Sequence, residues 1–262
     1  MKIVVCVKEV PPSPVRSALD PGTLRLVRSG DRGLNGADKQ ALEIALRFRD
    51  ADPEGVEVVL LSLAPERAVS SLQEGMAMGA DRSILVSDPA AAGSDLVATG
   101  RVLARALDRE PSDLVLVGAQ SSDSNGAMLW ATIGERLDRP VVSQVSELSV
   151  LDGVIRARRQ TENGYEVVEA RLPAIVAVSN SVAEPRYALL KGMIAAKKKR
   201  CDVLGLGDLG LGPADAGVEG SRTTVLAARP APPRKAPELM AGDDPAAAAE
   251  ALLERLIARG IV

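Results

Sequence analysis

The sequence predicts an α/β fold: a doubly wound, mostly parallel sheet with a β-hairpin excursion and an extended C-terminal arm ending in a helix. Three observations predict it. Short continuous runs of Val, Ile and Leu alternate with helical patterns through the first half, as in parallel strands joined by crossover helices. A charged, alternating stretch follows, centred on Asn163-Gly164. The tail then becomes rich in Gly and Pro before one last helical pattern.

In chain order, residues 3–7 form a β-branched run expected to be a strand covered on both faces. Residues 19–33 are too polar and Gly-rich for a core strand, and a small hairpin is expected around residues 24–27. A helix is predicted from about Ala37, with Asn35 as its cap and Ala41, Leu42, Ile44, Ala45 and Phe48 on its apolar face. Residues 56–61 are the next buried strand. Pro65 opens the following helix and Gly79 ends it. Residues 84–86 are a third strand, and Ser94-Asp95 caps a helix running to about Leu107. Residues 114–117 are a fourth, followed by a loop and a helix through Leu137. The doubly wound part is expected to end near residue 145.

Beyond it, residues 154–171 read as a β-hairpin with a two-residue turn, solvated on one face. Pro173 precedes a buried strand over residues 174–178, and a helix is expected over residues 189–198. The expected organisation is a body over residues 1–204, with a partner loop at 184–196, and an arm over residues 205–262. Residues 229–237 hold four prolines and three basic residues, so they should be extended. Residues 246–258 are a strong helix pattern, capped from Asp243-Asp244 with Pro245 in the first turn. A helix beyond such an arm reads as reaching a partner; the alternative is a mobile tail.

Composition excludes several function classes. The chain of 262 residues has no histidine, which removes Ser-His and Cys-His catalysis and most zinc sites. Aromatic content is 2%, too low for a base-stacking nucleic-acid surface. Net charge is −3, so no global basic field exists to hold DNA. Two distant cysteines, Cys6 and Cys201, make neither a disulfide framework nor a metal cluster, and fit a reducing compartment. No signal-peptide pattern or apolar span is present, and a cytoplasmic location is expected.

Three segments could carry function. The first joins the fourth strand to its helix: Gly118, Ala119, Gln120, Ser121, Ser122, Asp123, Ser124, Asn125, Gly126 and Ala127. Small residues and hydroxyls before a helix can admit a phosphate to backbone N–H groups, beyond the carboxyl ends of the strands. The bland alternative is a Ser/Asp-rich cap. The second runs from Glu184 through Arg186, Tyr187, Leu189, Leu190, Lys191 and Met193: a protein-docking loop, or a helix start with a core face. The third, Lys197-Lys198-Lys199-Arg200, is a basic patch or a set of cations complementing a helix C-terminus. Cys6, inside a buried strand, reads as a structural thiol.

Taken together, these segments resemble the electron-transfer flavoprotein beta (small) subunits. The resemblance rests on Lys2-Ile3-Val4-Val5-Cys6-Val7-Lys8, Met78-Gly79-Ala80-Asp81-Arg82, Arg158-Arg159-Gln160-Thr161-Glu162-Asn163-Gly164, Leu172-Pro173-Ala174-Ile175-Val176 and Glu184-Pro185-Arg186-Tyr187 with the stretch to Lys199. It implies an adenine-nucleotide alpha-hydrolase-like fold and a non-enzymatic electron carrier that works as half of a heterodimer. The alpha subunit would carry most of the FAD site, and AMP would sit in this chain as a structural element. It further implies acyl-CoA or related dehydrogenases as donors and a membrane quinone oxidoreductase as acceptor.

The resemblance places nucleotide contacts at Cys6, at Asn35, Gly36, Ala37 and Asp38, at Leu63, and along the loop from Gly118 through Met128 and Leu129. This loop departs from the common family pattern: Ala119 stands where a basic residue is frequent, and Leu129 where a hydroxyl is. The apolar anchor for the dehydrogenase falls at Leu190. Rival readings are a bifurcating form with a second FAD in the nucleotide pocket, a lone adenine-nucleotide sensor, and a transcription-associated binder using residues 197–200.

Overall fold

A computed structural model of the chain describes residues 1–11, 18–229, 232, 237 and 244–262. Strand β1 (Lys2–Cys6) opens a nine-stranded sheet. An excursion follows. In it β2 (Glu9–Val10) pairs antiparallel with β5 (Gly33–Leu34), and β3 (Leu19–Asp20) with β4 (Arg25–Leu26). The last pair is the small hairpin expected near residues 24–27.

Helix α1 (Gly36–Ala51) leads to β6 (Glu57–Leu63). A 3₁₀ turn at Glu66–Ala68 and α2 (Val69–Met78) follow, ended by Gly79 at a positive φ. Next come β7 (Arg82–Val86), α3 (Leu96–Arg109), β8 (Leu114–Gly118) and α4 (Leu129–Leu137). Asp95 caps α3 by accepting from the Ala98 N–H at 2.8 Å. Then β9 (Val141–Leu151), β10 (Val154–Thr161) and β11 (Gly164–Arg171) form an antiparallel extension. Strand β12 (Ala174–Val178) returns to the centre, and α5 (Leu190–Ala196), β13 (Cys201–Leu204) and the short α6 (Gly217–Gly220) complete the body.

The sheet order is β11, β10, β9, β12, β8, β1, β6, β7, β13. Pairing is parallel from β9 across to β13 and antiparallel among β9, β10 and β11. From β1 the chain moves outward through β6 and β7, then returns to place β8 on the other side of β1. The strand order therefore reverses between β1 and β8, which is where such sheets open a ligand crevice.

The two-layer covering follows from strand alternation. Ile3, Val5, Val58, Leu60 and Val176 face a core with residues of α1 and α2. Val4, Cys6, Val59, Leu61 and Ile175 face a second core with residues of α3 and Ile133 of α4. With so few aromatics, these cores are built from aliphatic side chains. Each large one, such as Leu60 or Leu116, contributes roughly 1.5–3 kcal/mol on burial.

Three elements differ from expectation. Residues 141–151 form a long strand, β9, with a bulge at Gln144, whose φ is +58°. The turn between β10 and β11 is Glu162-Asn163, because Thr161 pairs with Gly164. Residues 205–220 do not run free: Leu206, Leu209 and Ala216 are buried against the second core. The chain divides into two compact units, Met1–Ala227 and Ala228–Val262, so the boundary expected after residue 204 falls inside the first. The second unit carries α7 (Pro245–Ala258), whose first turn is capped by the Asp244 carboxylate on the Ala246 N–H. Asp243 and most of residues 229–237 lie outside the described residues. No helix among the described residues is long and apolar enough to cross a membrane.

Candidate functional site

At the crevice between β1 and β8, three chain segments meet: the end of β1, the start of α1 and the loop after β8. Close approach begins at Gly118. A side chain there would run into Asp38 Oδ1 and lie 2.7 Å from Ala37 Cβ, so a residue without Cβ lets β8 pack directly on the first turn of α1. Asn35 sits at the cap position of α1, yet its side chain does not cap the helix. It crosses the crevice instead, donating to the Gln120 carbonyl at 3.0 Å and accepting from the Ser122 N–H at 3.1 Å. The loop is thereby pinned to the helix start.

Asp38, in the first turn of α1, is buried and accepts from the Lys8 N–H at 2.8 Å. Burial pushes its carboxyl up to about 7, against donors from the Asn35 side chain and the Lys8 and Gly118 backbones. The raised value means that the fold favours the protonated form. Its contribution to stability is fully present below about pH 4 and is lost as pH rises toward about 7. The Tm of the wild type should therefore fall relative to Asp38→Asn between about pH 4 and 7 and level off above. The free-energy change is on the order of a few kcal/mol, at roughly 1.4 kcal/mol per pKa unit. Paired thermal melts across pH check this, and a constant difference would disprove it. Cys6 lies at the end of β1, where burial and then the nearby Asp38 push its thiol up to about 12, the state of an unreactive core sulfur. Leu63 ends β6, two residues beyond Leu61, the partner of Cys6, and packs against the same core.

The loop itself holds a cluster that the sequence did not reveal. Lys8 Nζ donates to Asp123 Oδ1 at 2.7 Å, to Ser124 Oγ at 3.0 Å and to Ser121 Oγ at 3.3 Å. Arg28, from the excursion, donates through Nε to Asp123 Oδ2 at 2.7 Å. The Asp123 side chain is 1% exposed, while both cations keep about a third of their surface in solvent. Burial opposes the charge on Asp123, but Lys8 and Arg28 outweigh it and hold the carboxyl well below the usual range. Lys8 lies two residues past a buried strand at the carboxyl edge of the sheet, which could have flagged it; Arg28 carries no such signal.

The rest of the loop is more open. Asn125 adopts a left-handed φ of +49°. A side chain at Gly126 would meet only Leu96 Cδ1, at 3.8 Å, and one at Gly36 would meet nothing within 4 Å. Ala127 leads to the exposed Met128, which precedes α4 without a side-chain cap. Leu129 packs against the second core, and Trp130 Nε1 donates to the Ala119 carbonyl at 3.3 Å. Cations, hydroxyls and open space at two glycines make a set suited to a phosphate group.

The second predicted segment lies elsewhere on the body. Tyr187, Leu189, Leu190, Met193 and Ile194 are exposed, and Leu190 keeps 74% of its surface in solvent. The reading of these residues as a core face therefore fails. Leu190, Lys191, Ile194, Ala195 and Lys198 line a shallow apolar depression. Arg186 is not a free rim charge. Its guanidinium binds Glu43 at 2.8 and 3.1 Å and Asp50 at 2.8 Å, tying the tip to α1. The basic run has its own explanation. Lys199 Nζ donates to the Ala80 and Met76 carbonyls at 2.6 and 3.0 Å, at the end of α2, and Arg200 pairs with Asp202 at 2.6 Å.

A model of the electron transfer flavoprotein domain matches residues 23–208, well over half of the chain. The chain belongs to the electron transfer flavoprotein family. Several of its relatives are electron transfer flavoprotein beta subunits. The electron transfer flavoprotein subunit beta of Mycobacterium bovis is 34% identical over 265 residues, covering 99% of each chain. That of Mycobacterium leprae is 36% identical over 241 residues, covering 90% of this chain and 91% of the relative. The caffeyl-CoA reductase-Etf complex subunit CarD of Acetobacterium woodii is 34% identical over 264 residues, covering all of both. The matched residues include the start of α1, the loop after β8, the hairpin and the exposed tip, while β1 with Cys6 and Lys8 precedes them.

Proposed function

We propose that this chain is the beta subunit of a heterodimeric electron-transfer flavoprotein, an electron carrier with no catalytic residues of its own. The carrying observation is its end-to-end similarity to beta subunits, together with a crevice at the strand reversal whose donors suit a nucleotide phosphate. In this reading an alpha subunit holds most of the FAD, which supplies the redox chemistry when bound. This chain contributes position and electrostatics. Its crevice binds AMP as a structural element, with Asn35 holding the loop and Gly118 allowing the close approach.

The apolar tip docks on acyl-CoA or related dehydrogenases, and a membrane quinone oxidoreductase accepts the electrons. The complex works in the cytoplasm. The arm and α7 embrace the alpha subunit: Leu252, Leu253 and Ile257 of α7 are about half exposed, an apolar stripe suited to a partner surface. A second reading, FAD rather than AMP in the crevice of a bifurcating form, is favoured by the similarity to CarD. The deciding experiment is to co-purify the heterodimer, denature it and count nucleotides. One FAD and one AMP support the first reading, and two FAD the second. Stoichiometric FAD on the isolated chain would refute the heterodimer.

The tip gives a sharper test. Leu190→Ala is expected to weaken productive binding of the donor dehydrogenase roughly five- to a hundredfold, as burying a Leu is worth about 1–3 kcal/mol. Tm and flavin content should be unchanged, because Leu190 touches no core. Dye-coupled reduction and thermal melts on one preparation check this; unchanged coupling would remove Leu190 from the interface.

A further inference from the structure

We propose that Lys8 and Arg28 hold the phosphate of the bound adenine nucleotide, and that Asp123 is a resident stand-in whose carboxylate the phosphate displaces. The inference rests on the nucleotide reading above and deepens it by naming the cations and their competitor.

The geometry carries it. Lys8 and Arg28 arrive from different elements, the end of β1 and the excursion, and converge on one carboxylate at 2.7 Å each. They meet at the strand reversal between β1 and β8, where a ligand is expected. Ser121 and Ser124 hydroxyls flank Lys8 at 3.3 and 3.0 Å and are 3.0 Å from each other. Two cations and two hydroxyls make a set suited to a phosphate, and a guanidinium binds phosphate and carboxylate with the same fork.

Charge decides who holds the set. Two cations against one carboxylate leave a net charge of about +1 in the cluster. A phosphate dianion neutralises both cations, which a carboxylate cannot do. Asp123 is shielded while its two partners remain part-exposed, so an incoming anion reaches the cations from solvent without first opening the core. Asp123 sits between Ser122, whose N–H is held by Asn35, and the left-handed Asn125, so the exchange is a rotation of its side chain with the loop backbone kept in place. Arg28 also ties the excursion to the loop, so the exchange keeps that segment in place by changing its anion.

The test uses the heterodimer stripped of nucleotide, with AMP and adenosine titrated calorimetrically. Asp123→Asn removes the competitor and should tighten AMP by about tenfold. Lys8→Met, and independently Arg28→Met, should weaken it by about tenfold or more. Adenosine lacks the phosphate, and its affinity should stay within about twofold in all three. Weaker AMP binding by Asp123→Asn, or equal changes for AMP and adenosine, would overturn the assignment while leaving the nucleotide site standing. If the wild type binds neither compound, the nucleotide reading itself falls. Thermal melts confirm that each variant is folded, and either cation variant alone suffices.

Discussion

Gly118→Ala is expected to destabilise the protein by about 3 kcal/mol, lowering Tm by about 10 °C in a body of this size. The new methyl would collide with Asp38 Oδ1 and sit 2.7 Å from Ala37 Cβ and 2.8 Å from the Ala37 carbonyl carbon. Two of the three atoms are fixed to the backbone of a helix start, so rotating the Asp38 carboxyl alone cannot relieve the contact. Either α1 lifts from β8 or β8 shifts within the sheet. Both disturb a buried carboxyl that depends on its donors. Gly126→Ala is the matched control, because its methyl meets nothing closer than Leu96 Cδ1 at 3.8 Å and its fold cost should be small. Thermal unfolding of the pair decides: a Tm within about 2 °C of wild type for Gly118→Ala would show that the helix start yields.

The second large effect is expected at Asp95. Its Oδ1 caps α3, and its Oδ2 accepts from the Arg222 and Thr223 N–H groups at 2.6 and 2.9 Å and from Thr223 Oγ1 at 3.1 Å. The Ser221 hydroxyl in turn accepts from the Asp95 N–H at 2.9 Å. One carboxylate thus starts a helix and fastens the last turn of the body before the arm. Burial opposes its charge, but these donors hold the carboxyl below its ordinary value. Asp95→Ala should cost about 2 kcal/mol, mostly the lost cap, since the outer contacts are screened by solvent. It should also free the chain near Arg222, which limited tryptic digestion would detect as faster cleavage there. Unchanged digestion would mean that this segment is held by other contacts.

Much of the fold was legible because the strands that flank the crevice are fully buried. Residues 3–7, 56–61, 114–117 and 174–178 announce themselves as unbroken aliphatic runs, and Asp95, Gly79 and Pro245 mark helix ends by their chemistry. The failures lie where burial is partial. Strand β9 mixes Ser, Gln and Glu with Val and changes phase at the Gln144 bulge, so its period is broken. Strand β13 is a four-residue edge with Val203 exposed. Residues 205–220 read as an arm from their glycines, whereas three apolar residues, Leu206, Leu209 and Ala216, anchor them.

At the site, the loop after β8 was legible from its small residues and its place before a helix. The Lys8–Asp123–Arg28 cluster was not, because residues 28 and 123 are brought together only by the path of the excursion. Asn35 was read as a cap because its position is right; the loop's unsatisfied backbone groups claim its side chain instead.

The bulge in β9 has a consequence for how the molecule comes apart. From Val141 to Val145, β9 is laced to β12 in the centre of the sheet; from Val145 to Leu151 its partner is β10 of the solvated hairpin. A single strand thus belongs to two neighbourhoods of different depth. Fraying that starts at the hairpin tip meets a natural stop where the ladder changes partner, and the amides before that stop open only with the core. The antiparallel extension can breathe, or adapt to a surface laid against it, without loosening the parallel strands that frame the crevice.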